Sequence, residues 1–121
     1  MVVRPLKGYR SFEDVLRSGR RVTSGPLLLA ALPGQTSDQQ TLLGVGVPKR
    51  VARKAVTRNR IKRLLRAAFQ SSLAGGLTQL DGVKMVCLWR NAPEHPALVT
   101  LPDVERHVRL GIQKLLVKGL G

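Results

Sequence analysis

The apolar residues of this chain fall into short blocks whose period changes along the sequence. In SFEDVLRSG, residues 11–19, Phe12, Val15 and Leu16 recur at helical spacing and share one face. Ser11 is placed to cap this helix, with Asp14 three residues on, and Gly19 to end it. PLLLAAL (26–32) and TLLGVGV (41–47) are continuous apolar runs of strand length. The polar PGQTSDQQ between them predicts a hairpin with a long loop. RRVT, before Gly25-Pro26, reads as a further edge strand, and Pro48 closes the third strand because it lacks a ladder donor.

A long helix is predicted over residues 53–73, stopped by Gly75-Gly76. VKMVCLW (83–89) reads as a strand apolar on both faces, and NAPEHPALVTLPD as an irregular connection. A last helix over 102–118 has Pro102 in its first turn, and its apolar stripe is Val104, Val108, Ile112 and Leu115 or Leu116. The order αβββαβα predicts an α+β fold, one sheet with helices packed on it. A length of 121 residues suggests a single domain over 1–121, able to bury a core without disulfides or metal.

Charge changes this picture from a fold to a function. Lys and Arg number 21 against 7 Asp and Glu, a net charge of +14, which calls for a polyanionic partner. Nucleic acid is expected, not a membrane: the longest apolar run, Leu27 to Leu32, is too short to cross a bilayer. The opening MVVRPLKGYR lacks the apolar stretch of a secretory signal. One cysteine, Cys87, excludes an internal disulfide and fits a reducing compartment, so a cytoplasmic location is expected.

The charge is concentrated in TRNRIKRLLRAAF, residues 57–69. On a helical wheel Ile61, Leu64, Leu65, Ala68 and Phe69 span one arc; Asn59, Lys62, Arg63 and Arg66 lie opposite, with Arg58 and Arg60 at the edges. Just upstream, Lys49, Arg50, Arg53 and Lys54 raise the count to nine basic residues between Lys49 and Arg66, and no acid occurs between Asp38 and Asp81. A helix face kept only for solubility mixes its signs, because like charges at i,i+4 repel. Contact with phosphates accounts for this one better. A helix-turn-helix for DNA is not evident, and four aromatic residues are too few for an extended base platform.

Other chemistry is sparse. Gly44 and Gly46 form an incomplete phosphate-loop pattern inside a strand, so close backbone approach is the simpler reading. Cys87 and Trp89 read as core, and His95 and His107 lack ligand spacing for zinc. Asp103 and Glu105 suit the positive end of the last helix. No Ser-His-Asp or Cys-His arrangement is present. Binding is therefore favoured over catalysis by the chain itself.

RNRIKRLLRAAF closely resembles the signature of the protein subunit of bacterial ribonuclease P, and the resemblance continues through SFEDVLRSGRRV, LLGVGVPKRVARKAV and VKMVCLWR. It implies a small protein bound one-to-one to a large catalytic RNA, monomeric by itself. The particle removes the 5′ leader of precursor tRNA by phosphodiester hydrolysis, with Mg2+ held mainly by the RNA and no catalytic residue or metal site on the protein. The signature positions, Arg58, Asn59, Arg60, Lys62, Arg63 and Arg66, would contact the catalytic RNA. A cleft between this helix and the sheet would take the leader, with Phe12, Leu16, Leu28, Ala30, Gly46 and Pro48 as its candidate contacts. The family often has aromatics where Leu16 and Ala30 stand, and serines at Gly46 and Pro48. Its fold is a sandwich with a mainly antiparallel four-stranded sheet and a left-handed βαβ crossover, like the second domain of a ribosomal protein. A ribosomal or other structured-RNA-binding protein is the alternative.

Overall fold

The computed structural model describes residues 2–33, 40–73, 82–91 and 95–118. Strand β1 (Val2–Pro5) precedes helix α1 (Tyr9–Ser18), strands β2 (Arg20–Ser24), β3 (Leu27–Leu32) and β4 (Gln40–Gly46), helix α2 (Ala55–Leu73), strand β5 (Lys84–Trp89) and helix α3 (Leu101–Lys118). A short 3-10 turn at Pro96–Leu98 leads into α3.

The sheet corrects the predicted topology. It has five strands in the order β1-β4-β5-β3-β2. The hairpin expected between β3 and β4 does not form; β5 lies between them, antiparallel to β3 and parallel to β4. The true hairpin is β2–β3, turning at Gly25-Pro26. β1 was not foreseen and pairs in parallel with β4. The sheet is therefore mixed, not mainly antiparallel. A parallel neighbour requires a crossover, which α2 supplies between β4 and β5. β5, apolar on both faces, takes the central place such a strand needs. Pro5 is tolerated because β1 is an edge.

Side chains alternate between two cores. Leu27, Leu29 and Ala31 of β3 and Met85, Cys87 and Trp89 of β5 enter the larger core, with the apolar stripes of α2 and α3. On α3 this stripe is Val104, Val108, Ile112 and Leu115, with Leu116 half-buried beside it. On the other sheet face, Ala30 and Val86 pack against Val15 of α1, flanked by Phe12, Leu16 and Leu88. The helices thus lie on opposite faces: α1 on one, α2 and α3 on the other. Ser24 Oγ donates to the His107 carbonyl at 2.7 Å, tying the end of β2 to α3.

Helix α1 begins earlier than predicted. Gly8, at φ 94, is its N-cap, and no side chain caps it. Ser11 lies inside the first turn, and Asp14 instead accepts from Arg17 at 2.9 Å. Gly19 does end the helix. A Cβ there would stand 2.5 Å from the Val15 carbonyl oxygen and 2.8 Å from that of Ala31, so the chain can turn into β2 only without one. The Gly75-Gly76 stop and most of the 33–40 loop lie outside the described residues.

Candidate nucleic-acid interface

Helix α2 divides as its periodicity predicts. Ile61, Leu65, Ala68 and Phe69 are all 0% exposed. Asn59, Arg63 and Arg66 are exposed, and Arg58, Arg60 and Lys62 lie partly so at the margins. The apolar arc fills the larger core, so the charged arc faces outward by necessity. The described ion pairs, Arg17–Asp14, Arg106–Asp103 and Arg109–Glu105, each join neighbours within α1 or α3 and do nothing to neutralise α2.

The basic loop before α2 is folded back on itself. The Pro48 carbonyl accepts from the Val51 and Ala52 amides at 3.0 and 3.4 Å. Val51 and Ala52 are buried, which leaves Lys49, Arg50, Arg53 and Lys54 on the outside. This turn starts α2 at Ala55, two residues later than predicted.

Two of the candidate arginines are engaged within the protein. Arg58 Nη1 donates to the carbonyls of Ala52 at 3.0 Å and Arg53 at 2.7 Å, bracing the loop against the first turn of α2. Arg50 Nη1 donates to the Arg90 carbonyl at 2.5 Å, joining the loop to the end of β5. Both arginines position this surface, whatever else they touch. By contrast Arg60 Nη1 is enclosed and has no hydrogen-bond acceptor among the described residues. Buried donors normally find a partner, so this guanidinium is held less tightly than those of Arg50 and Arg58.

Sequence reasoning missed Arg4, because β1 was missed. Arg4 lines a hollow of about 100 Å³ with Pro5, Leu43, Arg66 and Gln70, so the basic surface continues from α2 onto the sheet edge.

The second set of candidates gathers elsewhere than expected. Between α2 and the sheet the buried side chains of both fill the larger core, and the small hollow at Arg4, Leu43 and Arg66 lies at its edge. Phe12, Leu16, Ala30 and Gly46 instead meet on the α1 face. A Cβ on Gly44 would stand 3.0 Å from the Phe12 ring, and one on Gly46 would stand 2.6 Å from Leu88. These glycines therefore allow close approach, as the simpler reading held. Ala30 is 0% exposed and packs beneath Val15, so it supports this face without surfacing on it. Phe12, Leu16, Leu28 and Pro48 are half-buried, each with surface to offer.

The remaining polar groups are structural. Burial pushes the Cys87 thiol far above its ordinary range, which leaves it inert. Trp89 is buried and donates from Nε1 to the Asn91 carbonyl at 2.8 Å. Glu105 accepts from Ser71 of α2 at 3.0 Å and from Arg109 at 3.3 Å, pinning α3 to α2. Thr100 Oγ1 donates to Asp103 at 2.8 Å at the start of α3. Among the described residues, no group of three or more His, Cys, Asp or Glu side chains could hold a metal ion. No helix among them is long and apolar enough to cross a membrane.

The family model described as Ribonuclease P matches residues 3–108. Over 64 residues the chain is 44% identical to the ribonuclease P protein component of Shouchella clausii, covering 53% of this chain and 51% of that one. Over 70 residues it is 45% identical to the ribonuclease P protein component of Xanthomonas oryzae, covering 55% and 47%. The chain thus spans about half the length of these curated relatives. Its fold is similar to that of the RNase P protein from Thermotoga maritima, with a TM-score of 0.71 at 22% identity over 98% of this chain and 99% of that one. A structure of the Staphylococcus aureus RNase P protein aligns with a TM-score of 0.68 at 17% identity, covering 97% of each chain.

Proposed function

Because the chain belongs to the ribonuclease P protein family, we propose that it binds the catalytic RNA of ribonuclease P and assists removal of the 5′ leader from precursor tRNA. The observation that carries this reading is α2: a wholly buried apolar arc backing an outward arc of Arg, Lys and Asn, with no acid between residues 40 and 73. Such a surface attracts phosphates without selecting a sequence. The α1 face, with Phe12 and Leu16, is the proposed site for the single-stranded leader. Hydrolysis is proposed to belong to the RNA and its Mg2+, as in the family, with the protein binding and orienting the substrate. The protein is proposed to act one-to-one with the RNA in the cytoplasm, and its β4–α2–β5 crossover to have the family's left-handed form. Reconstitution with the cognate catalytic RNA, with cleavage followed against Mg2+ and salt, tests the reading as a whole.

Replacing Arg60 and Arg63 together by Ala is expected to weaken binding to the catalytic RNA and lower its salt slope by about 1 to 2 units. The melting temperature should hold. Arg58→Ala should behave differently: loss of its two carbonyl hydrogen bonds should cost about 1 to 3 kcal/mol of stability. Unchanged affinity and slope in a folded Arg60/Arg63 variant would remove those residues from the interface.

On the other face, Phe12→Ala should weaken the holoenzyme's binding of precursor tRNA by about 1 to 3 kcal/mol, if a leader base stacks on the ring. Binding of mature tRNA should hold. Equal losses for both substrates would count against a leader site here.

A further inference from the structure

A groove of about 650 Å³ runs along the outer edge of β2, between that strand and the C-terminal half of α3. Its walls are unusual for a surface so basic. Leu110 and Val117 remain 47% and 89% exposed, half-buried Val22 lines the groove on their side of the sheet, and half-buried Leu28 lines it where it passes the β2 edge to the other face. Leu110, Gln113, Lys114 and Val117 follow the i, i+3, i+4, i+7 pattern. They make a second face on α3, distinct from the stripe that enters the core.

The polar groups narrow the choice of occupant. Arg21 and Lys114 line the groove, and no acidic residue does. Lys114 Nζ donates to the Thr23 carbonyl at 2.8 Å. That bond fixes an ammonium at the rim while leaving it further N–H donors. It also occupies one carbonyl of edge strand β2, a group that an added peptide strand would otherwise use. The Gln113 amide offers a donor and an acceptor between the apolar walls. Apolar sides, one amide and two cations match a nucleotide: walls for the faces of a base, an amide for its edge and cations for its phosphates. The volume lies in the ordinary range for a small-ligand site, roughly 300 to 1,000 Å³.

The groove is continuous with the α1 face. Leu28 is a candidate of that face, and Arg21 also lines the hollow formed by Glu13, Leu16 and Arg17. The α1 face therefore runs from Phe12, over β4, to Arg21 at the edge of β2. β4 leads directly into the basic loop and α2. Nucleotides next to the cleavage point would then lie near Phe12 and Pro48, and those farther upstream would reach β2.

We infer that this groove holds one or two unstacked nucleotides of single-stranded RNA, upstream in the same leader that crosses the α1 face. The inference rests on the function proposed above and adds a second subsite to it. The test uses holoenzyme reconstituted with the catalytic RNA. Its substrates are mature tRNA and precursors with leaders of about 5 and about 15 nucleotides, near the two ends of the range of site sizes of single-strand binders. The wild type should bind the long-leader precursor more tightly than the short one. Leu110→Glu and Val117→Glu, both at exposed positions, should remove that advantage, weakening the long-leader complex by about 10-fold. Short-leader and mature tRNA affinities should not change. Phe12→Ala should weaken both precursors. Long-leader affinity unaltered in both groove variants would overturn the inference, as would equal loss with all three RNAs or a wild type indifferent to leader length beyond the short precursor. A wild type that does not distinguish precursor from mature tRNA would instead overturn the proposed leader site itself.

Discussion

Leu65→Ala is expected to lower the stability of the protein by about 2 to 5 kcal/mol. Leu65 is wholly buried in the larger core, on the same face of α2 as Ile61, Ala68 and Phe69. Removing three methyl(ene) carbons there forfeits their transfer free energy and leaves a cavity between α2 and the sheet. Neighbours on β3 and β5 are held by strand pairing on both sides, so they cannot collapse far to fill it. Val56→Ala, on the same helix but 77% exposed, should change stability by less than about 0.5 kcal/mol. Urea denaturation of the two variants checks the contrast. A small effect at Leu65 would mean that α2 does not pack by this arc, and the outward orientation of the basic arc would lose its basis.

That orientation was legible in the sequence because it depends only on the helical period. Thirteen residues fix which side of α2 is apolar, and the same holds for α3. Central β5 was legible as a strand apolar on both faces. Its neighbours were not, since strand pairing is a long-range choice that local pattern does not encode. PLLLAAL and TLLGVGV are adjacent in sequence and look like a hairpin, yet β5 separates them. β1 escaped notice because Val2–Pro5 is short and ends in proline. The same limits apply to the candidate site. The wheel identified the exposed cations, but it could not show that Arg58 is turned back onto the Ala52 and Arg53 carbonyls. Nor could the resemblance place Phe12 and Leu16 correctly. The face they share became visible only once α1 and α2 were seen on opposite sides of the sheet.

The same opposition bears on who performs the chemistry, and it leads to the prediction with the largest effect: the protein freed of RNA should show no site-specific 5′ maturation of precursor tRNA. Rapid phosphodiester hydrolysis needs an activated water and a stabilised leaving oxygen, usually through metal ions held by converging carboxylates. The described carboxylates do not converge. Glu13 and Asp14 stand on α1, Asp103 and Glu105 on α3, with the sheet between the two helices. Asp14, Asp103 and Glu105 already accept from Arg17, Thr100 and Ser71. Asp38, Asp81 and Glu94 lie outside the described residues. The surface proposed to meet RNA carries Arg, Lys and Asn, which can hold and orient phosphates but cannot coordinate magnesium through carboxylates. Its expected contribution is to screen repulsion between RNA strands, so that the holoenzyme reaches full activity at lower Mg2+ than the RNA alone. Nuclease treatment of the holoenzyme should abolish cleavage, and adding back the catalytic RNA should restore it. Maturation that survived the nuclease, and was lost on a single substitution in this chain, would make the protein itself the enzyme.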